Sequence, residues 1–123
     1  MSLPPLAAEQ NNAPTRLLMV ETRSEWESSD VADFLGLAHG FLQAGMTLDL
    51  FLMQNSVLLL RSQARAQLNA LADAGRCRIW IDRYALHLRG LCADDVGSCG
   101  VIAGTDELVQ LMTVPHTKVL WHS

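Results

Sequence analysis

Apolar residues in this chain come in short runs, and between the runs they recur at helical spacing. Arg16-Leu17-Leu18-Met19-Val20-Glu21 is the first run and predicts a strand. A loop rich in Ser and Glu follows. Ser29 or Asp30 can then cap a helix running to about Ala44, with Gly45 as its left-handed stop. Val31, Phe34, Leu35, Ala38, Phe41 and Leu42 form the apolar stripe of that helix. Gly36 and Gly40, four residues apart, predict a close approach of the helix to a sheet. Thr47 to Met53 predicts a second strand, and Gln54-Asn55-Ser56 turns the chain into Val57-Leu58-Leu59-Leu60. From there to Ala74 the pattern predicts one broken helix or two short ones, ending at Gly75. Cys77 to Ile81 is a third strand, a short helix follows over Tyr84 to Arg89, and Val101-Ile102-Ala103 is a brief fourth strand. Thr105 is positioned to cap a helix over Asp106 to Met112, and Lys118 to Trp121 is a fifth strand.

Strands alternating with helices predict the α/β class: a three-layer α/β/α domain with a five-stranded parallel sheet, flavodoxin-like in outline. Residues 1–15, with their prolines and polar side chains, read as a flexible lead-in, and residues 16–123 as one domain. Four consecutive apolar residues at 57–60, and Trp121 near the end of the chain, are candidates for a subunit contact. For the run at 57–60, plain core is an equal alternative.

Half of the 123 residues are hydrophobic, 18% are charged, and the formal charge is −4. An acidic balance with nine scattered basic residues offers no electrostatic grip on nucleic acid. No window approaches the roughly 18 apolar residues of a membrane span, and the first residues lack the layout of a signal peptide. Three cysteines do not make a disulfide framework. A cytoplasmic protein without membrane or nucleic-acid partners is the expectation.

In an open parallel sheet, chemistry sits at the loops that follow the strands' carboxyl ends. Those loops hold Glu21 to Trp26, Gln54-Asn55-Ser56, Asp82-Arg83-Tyr84 and Gly104-Thr105-Asp106, and the last strand ends at His122. Neither glycine-rich phosphate-binding motif is present, and His39, His87, His116 and His122 lack metal-ligand spacing, so no cofactor and no metal are expected. Cys77 lies early in its strand and reads as a small buried hydrophobe. Cys92 and Cys99 flank Ala93-Asp94-Asp95-Val96-Gly97-Ser98 in a connection that can reach the same edge, although the two acids oppose thiolate formation.

Three stretches together resemble the DsrE/DsrF/DsrH-like sulfur-relay family, which includes the TusB, TusC and TusD subunits. They are Phe51 to Leu60, "FLMQNSVLLL"; Ala74 to Leu91, "AGRCRIWIDRYALHLRGL"; and "GTDELVQLM" followed by "TKVLWHS". The resemblance covers nearly all of the chain after Thr15. It implies the five-stranded fold, a trimer or hexamer, or a hetero-oligomer with related subunits, and sulfur-relay proteins as partners. In catalytic members it also implies a persulfide-carrying cysteine at the end of the third strand, about eight residues before the glycine of Arg-Gly. Counting back from Gly90 reaches Asp82, so this chain reads as a divergent member without the usual active-site cysteine.

A carboxylate cannot carry a persulfide. Asp82 reads as the N-cap of the helix behind it, with Arg83 or Arg89 available to neutralise its charge. The leading expectation is a non-catalytic structural or partner-binding protein, not an enzyme. The alternatives are a sulfurtransferase-like persulfide carrier using Cys92 or Cys99, and a small-ligand-binding protein with a pocket of Gln54, Asn55, Asp82, Tyr84 and Arg89.

Overall fold

The computed structural model of the protein describes residues 16–123; the lead-in read at residues 1–15 lies outside them. The order is β1 (Arg16–Glu21), α1 (Val31–Gln43), β2 (Thr47–Leu52), a 3-10 segment (Gln54–Arg61), α2 (Arg65–Asp73) and β3 (Cys77–Asp82). Then come α3 (Arg83–Leu88), α4 (Ala93–Val96), β4 (Val101–Ala103), α5 (Thr105–Met112) and β5 (Thr117–His122). All strands pair in parallel, in the order β4-β3-β2-β1-β5. The five-stranded parallel α/β architecture read from the sequence is the one observed.

Side chains of successive strand residues alternate between the two faces, and the core divides accordingly. Leu17, Met19, Leu48, Leu50, Leu52, Ile79 and Ile81 pack with α1, the 3-10 segment, α2, α3 and α4 on one face. Leu18, Val20, Phe51 and Ala103 pack with Leu108 and Leu111 of α5 on the other. The layers are therefore unequal, because only the connection from β4 to β5 doubles back across the sheet. Asp49 is buried on the second face, where it accepts from Arg16 Nη2 at 2.9 Å, Arg78 Nε at 3.1 Å and Trp80 Nε1 at 2.9 Å.

Several local expectations change. The apolar stripe of α1 buries Val31, Leu35, Ala38 and Leu42, but Gly36 and Gly40 face solvent, and a β-carbon at either would meet nothing within 4 Å. They do not mediate close packing. Gly45 does end α1 with φ +92, and Arg76 donates to the carbonyls of Leu42 and Gly45, both at 3.0 Å. Val57, Leu59 and Leu60 are at most 3% exposed and belong to the core, and Leu58 is half-buried against it. They lie on a 3-10 segment, in which Val57 and Leu60, three residues apart, share a face. Gly104, not Thr105, stands at the N-cap of α5, and its N–H is capped in turn by Glu107 Oε2 at 3.0 Å. Among the described residues, no helix is long and apolar enough to cross a membrane.

Candidate functional site

The chain leaving β3 enters α3 on one face of the sheet, and the chain leaving β4 enters α5 on the other. Two neighbouring strands whose continuations part in this way leave a crevice at their carboxyl ends, the usual place for a ligand in an open α/β sheet. It is present here. Asp82, Arg83, Tyr84, His87, Gly104 and Thr105 line a space of about 360 Å³. A second lobe of about 320 Å³ adds Met53, Gln54, Ala85, Leu88 and Arg89, and it shares Asp82, Tyr84 and Thr105 with the first.

Asp82 is the last residue of β3 and the N-cap of α3, and its Oδ2 accepts the Ala85 N–H at 2.9 Å. A cap of this kind is worth about 1 kcal/mol. Among the described residues its carboxylate has no cationic partner, however. Arg89 donates from Nε (2.9 Å) and Nη2 (2.7 Å) to Asn55 Oδ1, and from Nη1 to Ala85 O at 3.1 Å. Arg83 makes no ion pair among the described residues. The expectation that one of these arginines neutralises Asp82 is corrected: neither makes an ion pair with it.

Of the five pocket residues named from the sequence, Gln54, Asp82, Tyr84 and Arg89 line the crevice, and Asn55 sits behind Arg89 as its acceptor. Gln54 has φ +54, a left-handed conformation that is uncommon outside glycine. It turns the chain from β2 into the 3-10 segment and presents Asn55 to Arg89. The loop after β1 reaches the start of α2, where Glu25 Oε1 accepts the Ala64 N–H at 3.2 Å. Tyr84 is 68% exposed and Leu88, one turn on, is 59% exposed, giving the crevice an apolar flank.

A second polar arrangement at this edge escaped the sequence reading. Glu21 ends β1 with no exposed surface. Its Oε2 accepts the N–H groups of Thr22 (2.9 Å) and Arg23 (3.1 Å). His122, at the end of the adjacent β5, places Nδ1 2.8 Å from Oε1 and 2.7 Å from Oε2. An ionised Glu21 can only accept, so Nδ1 carries the proton. The imidazole stacks on the Phe34 ring of α1, with centroids 5.2 Å apart. This pair ties the two strand ends and α1 together. The one signal available in the sequence was that an acid and a histidine each close a strand.

None of the three cysteines lines the crevice. Cys77 is buried at the opposite end of β3, and burial first, then Asp49 and Cys99, push its thiol up to about 12. Cys99 is 4% exposed and lies two residues before Val101, which pairs with Trp80 near the middle of β3. The structure thus keeps it in the core, short of the carboxyl edge. Burial raises its thiol too, with Arg65 opposing. Cys92 is exposed at the start of α4, where its N–H donates to Asp95 Oδ2 at 2.8 Å. Asp95 is held at about 2 chiefly by its hydrogen bonds from Arg61, the shorter of which is 2.6 Å. Among the described residues, no group of three or more His, Cys, Asp or Glu is placed to hold a metal ion.

No protein-family model matches this sequence, and no curated protein matches it. Solved structures do. The ychN protein from E. coli aligns with a TM-score of 0.75 at 20% identity, over 88% of this chain and 99% of that one. BT1422 from Bacteroides thetaiotaomicron aligns with a TM-score of 0.73 at 14% identity, over 88% and 95%. The chain has the YchN-like fold. MTH1491 from Methanobacterium thermoautotrophicum shares it, with a TM-score of 0.70 at 14% identity over 87% of this chain and 97% of that one. MTH1491 and BT1422 are proteins of unknown function. At these identities the likeness is one of fold, and the YchN-like, DsrE-like architecture agrees with the order of elements read from the sequence.

Proposed function

We propose that this protein is a non-catalytic, partner-binding relative of the sulfur-relay subunits, whose carboxyl-edge crevice binds without carrying sulfur. One observation carries the reading. The residue that closes β3 is Asp82, committed as a helix cap, and no thiol lines the crevice around it. Persulfide chemistry needs a thiolate that can attack sulfur and release it again, and two of the three thiols are buried, with burial raising both. The working assembly is an oligomer, of this chain or with related subunits. The half-exposed Trp121 on the open edge strand β5 supports a subunit contact there.

The competing reading, a sulfurtransferase-like persulfide carrier, rests on Cys92, because that thiol is exposed. Incubation with a persulfide donor, followed by intact mass, separates the two. The expected result is no reductant-reversible gain of a sulfur atom, in the wild type or in Cys92→Ser. A stable gain in the wild type that Cys92→Ser abolishes would replace this reading with the carrier.

A further inference from the structure

Three acids are buried among the described residues: Glu21, Asp49 and Asp82. Glu21 has His122, and Asp49 has Arg16 and Arg78. Asp82 is only 8% exposed, yet its sole partner among the described residues is the Ala85 N–H on Oδ2. It is also the one of the three that lines a cavity, and it faces both lobes of the crevice. Its second oxygen is not a buried orphan: it opens onto the crevice as an acceptor that a bound cation can reach.

We infer that the crevice receives a primary ammonium group on an aliphatic stem, with the ammonium on the free oxygen of Asp82. This deepens the proposed function and rests on its premise that Asp82 binds and does not react. The wall suits such a ligand. The Tyr84 ring, Leu88, Met53 and Ala85 offer apolar surface to the stem, and Tyr84 gives the cation an aromatic face. The other charged or titratable groups facing the space are Arg83, His87 and Arg89. Arg89 is drawn off by Asn55 and Ala85. Arg83 lies over Gly104 with Glu107 beside it, and Asp106 follows. Arg83 lines only the first lobe, which leaves the lobe of Met53, Ala85 and Leu88 to the ammonium and its stem.

The test is a titration of the 15N-labelled full chain with n-pentylamine, n-pentanol and pentanoate, read from backbone amide shifts. Pentylamine is expected to move the Asp82, Tyr84 and Thr105 amides. It should bind about tenfold or more tighter than pentanol, as a charge-assisted hydrogen bond requires, and pentanoate should not bind. Asp82→Asn removes the charge but keeps an oxygen to cap α3, so it should reduce pentylamine to the level of pentanol with the fold intact. Equal affinity for amine and alcohol, no binding by any probe, or an Asp82→Asn protein that binds pentylamine unchanged would each overturn the inference. A fourth probe, N-acetyl-lysine methylamide, distinguishes the source. Tighter binding than pentylamine assigns the crevice to a protein's lysine, and weaker binding to a free amine. A persulfide on Cys92 with pentylamine binding intact would sink the proposed function while leaving this site.

Discussion

Gly100→Ala is expected to destabilise the protein by about 3 kcal/mol or more, the upper range for forcing atoms into a packed site. A β-carbon at Gly100 would lie 2.5 Å from the Ile79 carbonyl oxygen and 2.7 Å from Ile81 Cδ1. The first of these is backbone of β3 and cannot swing aside, so β4 would have to move off the sheet. Because β4 leads directly into Gly104 and Thr105, that movement would also open the crevice on one side. Urea denaturation measures the loss, and amide exchange in Ile102 and Ala103 localises it. Gly36→Ala is the internal contrast: it sits on an exposed helix face with open space around it, and should gain about 0.5–1 kcal/mol. A Gly100→Ala protein as stable as the wild type would mean that β4 has room the packing does not show.

Glu21→Ala is the second large effect, at about 3 kcal/mol, since each buried donor left without its acceptor costs roughly 1–3 kcal/mol. The substitution takes the acceptor from two backbone N–H groups and from His122 Nδ1, at a residue with no exposed surface. Glu21→Gln keeps one acceptor oxygen and should cost less than Glu21→Ala. His122→Ala should cost less again, since the two N–H groups keep their carboxylate. The order Glu21→Ala, Glu21→Gln, His122→Ala in urea-unfolding free energy is the checkable outcome. Equal stability of Glu21→Ala and the wild type would remove the strand-end pair from the account of what holds β5 to β1.

Much of this architecture was legible in the sequence because parallel strands between helices are buried on both faces and write themselves as short apolar runs. The bounds of β1 and β4 came out as read, and β2, β3 and β5 moved only at their ends. The cap at Asp82 was also legible, because capping is a local interaction between residues three apart. What the sequence did not carry was lateral order. Glu21 and His122 are 101 residues apart, and nothing in either neighbourhood says that the last strand returns to lie beside the first. The role of the glycines was misplaced for a related reason. Gly36 and Gly40 share the helical spacing of a packing face, but that face is set by Val31, Leu35, Ala38 and Leu42, and the two glycines fall on the far side. Gly100 has no periodic signature at all, since its constraint comes from Ile79, a residue 21 positions earlier on β3. The partners of Arg83 and Arg89 were likewise beyond sequence spacing. Arg89 is one helical turn from Ala85 but donates chiefly to Asn55, which β2 delivers from the neighbouring strand.

The most direct test of the central claim is to give the end of β3 the thiol it lacks and ask whether sulfur then moves. Asp82→Cys and the wild type, each incubated with a persulfide donor and then with a low-molecular-weight thiol acceptor, would be followed by intact mass. The account predicts a reductant-sensitive sulfur on Asp82→Cys, passed on to the acceptor, and none on the wild type. A wild-type chain that takes up and hands on sulfur, or a folded Asp82→Cys protein as inert as its parent, would contradict it.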